Sequence, residues 1–158
     1  RSVAVLKSLR VKDAMVTNFE TVHEHDSVKT CHEKIRTCHY PFLVVLDAQE
    51  RFKGLLTVDV IEKGLLSHLQ SQSDKLSGLL EAKDLLYRAG VTSRPVSEDL
   101  PLAELKGLFS GQSCLAVIRG DKVVGLLFAH DIRQCYDREV ARLSFVIQAN
   151  QNSRLGTR

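Results

Sequence analysis

The sequence predicts an α/β fold made of two copies of one β-α-β-β-α unit, packed on each other as a pseudo-two-fold pair. Three observations lead there. Short segments recur about 70 residues later in the chain: Val11-Lys12-Asp13-Ala14-Met15 returns as Ala82-Lys83-Asp84-Leu85-Leu86, and Gly54-Leu55-Leu56 as Gly125-Leu126-Leu127. Within each copy the hydrophobic pattern switches between helical and strand periods in the same order. A unit of about 60 residues is also too small to bury much core alone, so the two copies are expected to cover one another.

In order along the chain, residues 1–12 read as a connector, 9–69 as the first repeat and 70–78 as a linker. Residues 79–147 read as the second repeat, ending in a long helix, and 148–158 as a polar, frayed tail. Val28, Cys31, Ile35 and Cys38 lie at helical spacing behind Asp26 as a cap. Leu102, Leu105, Leu108 and Phe109 repeat this behind Asp99, with Pro101 near the first turn, where its missing N–H costs nothing. Phe42 to Leu46 and Leu115 to Ile118 are short apolar runs, each followed by a polar turn and a second run ending at Leu56 or Phe128, which describes a hairpin. Helices follow from Asp59 to Leu69 and from Ala129 onward, where Ile132, Cys135 or Tyr136, Val140, Leu143 and Ile147 keep one face apolar.

Composition narrows the function classes. The 158 residues are 44% hydrophobic and 26% charged, which is globular rather than disordered. Net charge is +3 with the basic residues scattered, so nucleic acid is not an expected partner. The longest apolar run, Phe42 to Leu46, falls far short of the roughly 20 residues that span a bilayer. The four cysteines, Cys31, Cys38, Cys114 and Cys135, lack metal-type or redox-type spacing and read as reduced, cytosolic thiols. With no initiator Met and no signal pattern, the chain is expected to be part of a longer polypeptide.

The Val11 to Met15 lead-in, the His39-Tyr40-Pro41-Phe42-Leu43-Val44 approach to the middle strand, and the exits Gly54-Leu55-Leu56-Thr57 and Gly125-Leu126-Leu127 through Asp131-Ile132 together resemble the tandem CBS (cystathionine β-synthase type) domain pair. The likeness runs from Leu9 to about Tyr136. It implies a regulatory, non-enzymatic module that dimerises and takes an adenine nucleotide (ATP, ADP or AMP) in the cleft between repeats. The run Asp131-Ile132-Arg133-Gln134-Cys135-Tyr136-Asp137-Arg138-Glu139-Val140 is similar to the closing helix in the cytoplasmic tails of CLC chloride channels and chloride/proton exchangers, with Arg133 and Cys135 departing from their pattern. That similarity implies a homodimer attached to a membrane-embedded transport domain of the same polypeptide, at the cytoplasmic face. Arg1, Lys7, Arg10 and Lys12 among Val3, Val5, Leu6 and Leu9 suit a connector beside lipid headgroups, and equally a plain linker.

A nucleotide in such a cleft needs close backbone approach, a hydroxyl at a helix start and a carboxylate for the ribose. Gly54 and Gly125 offer the first, or are simply strand-packing glycines. Pro41, in the approach to the middle strand, is a further candidate binding residue that the resemblance implies. The first repeat keeps the hydroxyl, Thr57, but has Val60 at the carboxylate position, with Asp59 about 100° away round the helix. The second repeat keeps Asp131 but has Phe128 in place of the hydroxyl. A charge-assisted ribose contact outweighs a neutral hydroxyl, about 1.5–3 against about 1 kcal/mol, so Asp131 marks the better ribose site unless Phe128 fills its cleft; Phe128 also suits stacking on a base. Without any ligand, Thr57 serves as a helix cap and Asp131 as a favourable first-turn acid.

Other chemistry is less favoured. Cys31-His32 and Cys38-His39, with His23 and His25, make a transition-metal site conceivable, but the cysteines continue the Val28–Ile35 apolar stripe and read as core. A thiol buried there is inert as a nucleophile. No P-loop, G-x-S-x-G or H-E-x-x-H motif is present in the sequence, and no catalysis is expected.

Overall fold

The computed structural model describes residues 2–70, 80–89, 94–105 and 107–156. Two short helices, α1 (Ser2–Ser8) and α2 (Val11–Ala14), lead into β1 (Glu20–His23), α3 (Val28–Thr37), β2 (Phe42–Leu46), β3 (Phe52–Thr57) and α4 (Val58–Gln70). The second half repeats this as α5 (Ala82–Ala89), β4 (Val96–Ser97), a 3-10 turn at Leu102–Glu104, β5 (Cys114–Arg119), β6 (Lys122–Phe128) and α6 (Ala129–Gly156). Each half builds a three-stranded sheet of the same design. The first strand runs parallel to the middle one, and the middle one pairs antiparallel with the third.

Register repeats as well as order. Leu43 lies opposite Leu56 and Val45 opposite Gly54 in one sheet, as Leu115 lies opposite Leu127 and Val117 opposite Gly125 in the other. Both hairpins carry a bulge at the same place, after Val45 and after Val117. Both middle strands are continuous apolar runs because each is covered on two faces. One face meets helices; the other face of each sheet, through Val44, Cys114, Leu126 and Phe128, forms a central core shared by the two sheets.

The lead-in helices cross over. Val11 and Ala14 of α2 are buried in the core of the second sheet, with Leu115, Val117 and Leu127. Ala82 and Leu85 of α5 are buried in the core of the first, with Leu43, Val45 and Leu56. Matching backbone bonds hold each: the Val11 and Lys12 amides donate to the carbonyls of Leu100 and Glu98, and those of Ala82 and Lys83 to Asp26 and Glu24. Asp13 and Asp84 then accept from the backbone amides of Arg10 and Glu81 at 2.8 and 2.9 Å, which explains why Lys-Asp recurs in both lead-ins. The spans 9–69 and 79–147 follow chain order; the packing exchanges their first turns.

Five local expectations are corrected. The helix expected over Leu102 to Phe109 is only the 3-10 turn, because Gly107, Ser110 and Gly111 take left-handed backbone (φ +85°, +36° and +82°) that an α-helix cannot continue through. The cap of α3 is Ser27, whose hydroxyl accepts from the Thr30 amide at 3.1 Å; Asp26, one residue too early, turns back to the His23 amide. Asp99 caps nothing and pairs with Lys12 at 3.4 Å. Residues 148–156 are helical, since propagation through Gln, Ala, Asn and Arg needs no new nucleus and nothing breaks the helix before Gly156; they are exposed where described. Residues 1–12 are also more than a connector, with Leu9 and Val11 8% and 0% exposed. Of the linker 70–78, Gln70 ends α4 and the rest lies outside the described residues.

Candidate functional site

The pseudo-two-fold generates two clefts, and the residues at equivalent positions make them unlike. At the first, β3 ends in Thr57 and α4 begins at once. The Thr57 hydroxyl accepts from the Val60 amide at 3.4 Å, so it caps the helix while facing the cleft. A cavity of about 260 Å³ opens here, lined by Phe42, Leu55, Thr57, Val60 and Ala89 on one side and by 111–114 of the second repeat on the other. Asp59 is exposed and stands outside this lining. The walls are mainly apolar, with Thr57, Gln112 and Ser113 as the polar groups, a pattern suited to a flat, partly polar ligand.

At the second cleft Phe128 replaces the threonine and is only 6% exposed. Its ring centroid lies 5.0 Å from that of Tyr40, 5.6 Å from Phe42 and 5.7 Å from His130. The phenyl group thus occupies the space that the small hydroxyl leaves open on the other side. Asp131 is at the head of α6 as expected. One carboxylate oxygen lies 3.3 Å from His130 Nε2, and the other, Oδ2, is buried with no hydrogen-bond partner among the described residues.

Both sequence glycines stand behind the clefts, closely backed by the other repeat's lead-in. A Cβ on Gly54 would meet Leu86 Cδ2 at 2.7 Å; on Gly125 it would meet Met15 Sδ and the Val16 carbonyl oxygen, each at 2.8 Å. Val16 and Leu126 exchange two backbone hydrogen bonds there. The close approach that the missing Cβ allows is therefore that of the protein's own chain. Pro41 is exposed and is not among the residues lining the first cavity; by register its counterpart is Ser113, which is.

The thiols offer no nucleophile. Burial, with Asp26 nearby, raises Cys31 to about 11, and burial, with Asp131 nearby, raises Cys114 to about 12. Cys38 and Cys135 are raised too, mainly by burial. Among the described residues no group of three His, Cys, Asp or Glu is placed to hold a metal. His25 instead bonds Glu81 at 2.7 Å and lies 3.3 Å from Glu24, bridging β1 to the segment before α5.

The wall at 111–114 and Ala89 were missed from sequence. The signal was present in the repeat itself, because 111–114 is the register equivalent of His39-Tyr40-Pro41-Phe42.

A duplicated α/β module with a ligand-sized cleft between its halves defines a class, and comparison with known proteins specifies it. Residues 11–66 match the family model of the CBS domain. No curated protein matches the chain. Among solved structures it is similar to CBSX2 in complex with AMP, with 20% identity and a TM-score of 0.62, over 85% of this chain and 98% of that one. It is also similar to the CBS domain pair of protein MJ0100 in complex with 5-methylthioadenosine and S-adenosyl-L-methionine, at 18% identity and TM-score 0.59, over 83% and 98%. The CBS domain of a membrane protein from Sphaerobacter thermophilus matches at 14% identity and TM-score 0.61, over 85% and 91%. The fold is that of a tandem CBS domain pair.

Proposed function

We propose that this chain is a regulatory CBS pair that binds an adenosine-containing ligand in the first cleft. The observation that carries the reading is the cavity of about 260 Å³ walled by both repeats, with Thr57 at the head of α4 and Gln112 and Ser113 opposite. AMP in CBSX2 and the adenosyl ligands in the MJ0100 pair support the ligand class. A ligand gripped by both halves favours their docked arrangement and so reports its concentration as a change in stability and shape. At about 100 times its Kd it adds about 2.7 kcal/mol to folding stability. Thermal melts with millimolar AMP, ADP and ATP are expected to show that shift, and Thr57→Ala to lower affinity about fivefold, the value of a neutral hydrogen bond. The converse order, with Asp131→Ala the more damaging, moves the ligand to the second cleft. No shift with any nucleotide overturns the reading in favour of a purely structural pair, which the ring of Phe128 filling the second cleft already favours for that half.

We extend the proposal to context: a homodimer on the cytoplasmic side of a CLC-type chloride channel or exchanger. The Asp131 to Val140 run supports the parentage. Exposed Phe145, Val146 and Ile147 on α6, with Leu66 and Leu69 on α4, support pairing of like helices. Among the described residues no helix is long and apolar enough to cross a membrane; on this reading the transport domain is another part of the polypeptide. Apolar stretches of about 20 residues upstream in the reading frame, and a dimer in sedimentation at high micromolar concentration, are the expected findings. A frame without them, or a strict monomer, removes the corresponding claim.

A further inference from the structure

A second cavity, of about 270 Å³, lies between α4 and α5 and is lined by Val60, Lys63, Gly64, Leu85, Arg88 and Ala89. Two of these, Val60 and Ala89, also line the nucleoside cavity, so the two spaces adjoin across small apolar side chains. The helices are close because Gly64 has no Cβ, and Leu85 packs into the space a side chain would take. That contact holds Lys63 and Arg88 on opposite sides of one gap. Both side chains are cations, and neither has a carboxylate partner among the described residues. Among the described residues Arg88 bonds the Ser67 hydroxyl, at 3.5 Å. The acid one turn before Arg88, Asp84, is occupied by the Glu81 amide, and Asp59, one turn before Lys63, lines neither cavity. Val60 completes the picture. A carboxylate at that position would stand on the shared wall, beside both cations, and would compete with an incoming anion.

We propose that Lys63 and Arg88 form the phosphate-chain subsite of the first cleft, so that the ligand is a nucleoside di- or triphosphate rather than a nucleoside or monophosphate. This rests on the reading that the first cleft takes an adenosine ligand. Val60 and Lys63 are about one helical turn apart, about 4.5 Å along the axis, within the reach of a chain of two or three phosphates and beyond that of a single added one. Arg88 offers planar paired N–H donors and Lys63 a mobile point charge, the two complementary ways of holding phosphate oxygens.

Titration calorimetry on the full chain with adenosine, AMP, ADP and ATP tests this, for the wild type and for the Lys63→Gln/Arg88→Gln double variant. Both positions are exposed, and an unchanged melting temperature without ligand shows that the variant folds. The expected result is at least tenfold tighter binding of ADP and ATP than of adenosine or AMP. That preference shrinks with added salt and is lost in the double variant, whose adenosine affinity stays within twofold of wild type. AMP binding as tightly as ADP and ATP, equal affinity for all four ligands, or a phosphate preference that survives in the double variant overturns the subsite while leaving the adenosine reading intact. Binding of none of them overturns both.

Discussion

At residue scale, the clefts differ through one exchange at a single register position, Thr57 against Phe128. A threonine leaves room and offers a hydroxyl; a phenylalanine closes the same space with a ring held by Tyr40 and Phe42. Restoring the smaller residue should reopen the second cleft beside Asp131. Phe128→Thr is expected to cost about 3 kcal/mol in denaturant unfolding, near the low end for losing a buried aromatic ring. It should also raise nucleotide stoichiometry in calorimetry from one to two per chain, and a stoichiometry that stays at one would show that ring size is not what closes that side. The glycines make a second contrast. Gly125→Ala drives a methyl group into the backbone carbonyl of Val16, while Gly54→Ala meets the movable end of Leu86. Urea unfolding should therefore show Gly125→Ala as the more damaging change, by about 1–3 kcal/mol, with Gly54→Ala milder. Asp131 and Phe128 were both visible in the sequence. What sequence could not supply was whether the ring turns into the cleft or away from it, because that depends on partners, Tyr40 and Phe42, from the other repeat.

Among the elements, the hairpins were the most legible. Short continuous apolar runs bounded by polar turns give strands, and duplication supports each assignment a second time; Leu43, Leu56, Leu115 and Leu127 all fall where that pattern puts them. The helix expected at Leu102 to Phe109 failed for a local reason: its spacing was helical, but left-handed Gly107 interrupts it and left-handed Ser110 and Gly111 follow at once. The crossed placement of α2 and α5 was not legible at all, since repetition reports the order of elements and is silent on which sheet receives them. The turn between β2 and β3 shows how one side chain secures an element. Asp47 accepts from the amides of Gln49 and Arg51 at 2.9 Å and from Arg51 Nε at 3.0 Å. The bond from the Arg51 backbone, then that from Gln49 and the Arg51 side chain, hold its carboxyl below the usual aspartate value. A carboxyl depressed in the folded state adds stability that is fully present above its unfolded value, about 4, and is lost as pH falls through the folded one. Stability measured by urea unfolding should decline below about pH 4, and Asp47→Asn should flatten part of that decline while lowering stability at pH 7. An unaltered acid limb in the variant would assign the decline to other carboxylates.

For the whole molecule, the exchange of lead-in helices makes the two repeats mutually dependent. Val11, fully buried, belongs to the core of the second sheet, and Leu85, 1% exposed, to that of the first. Leu85→Ala is expected to cost about 2–5 kcal/mol and to raise amide exchange first in β2 and β3. Val11→Ala should cost less and act first on β5 and β6. Exchange that rises in the sheet nearer in sequence would contradict the crossing. Residues 9–69 alone should likewise fail to unfold cooperatively, because Leu80, Ala82 and Leu85 are missing from their core. The same exchange sets a timetable for the nascent chain. The first sheet leaves the ribosome unfinished and waits for roughly 30 further residues, about 1.5–6 s at ordinary rates of synthesis. The α2 segment waits longer, since its docking surface includes β6 and Cys135 of α6, whose thiol bonds the Asp13 carbonyl across 122 positions. Closing so long a loop is slow compared with forming a local hairpin. The stretch that is synthesised ahead of both sheets is thus among the last to reach its place.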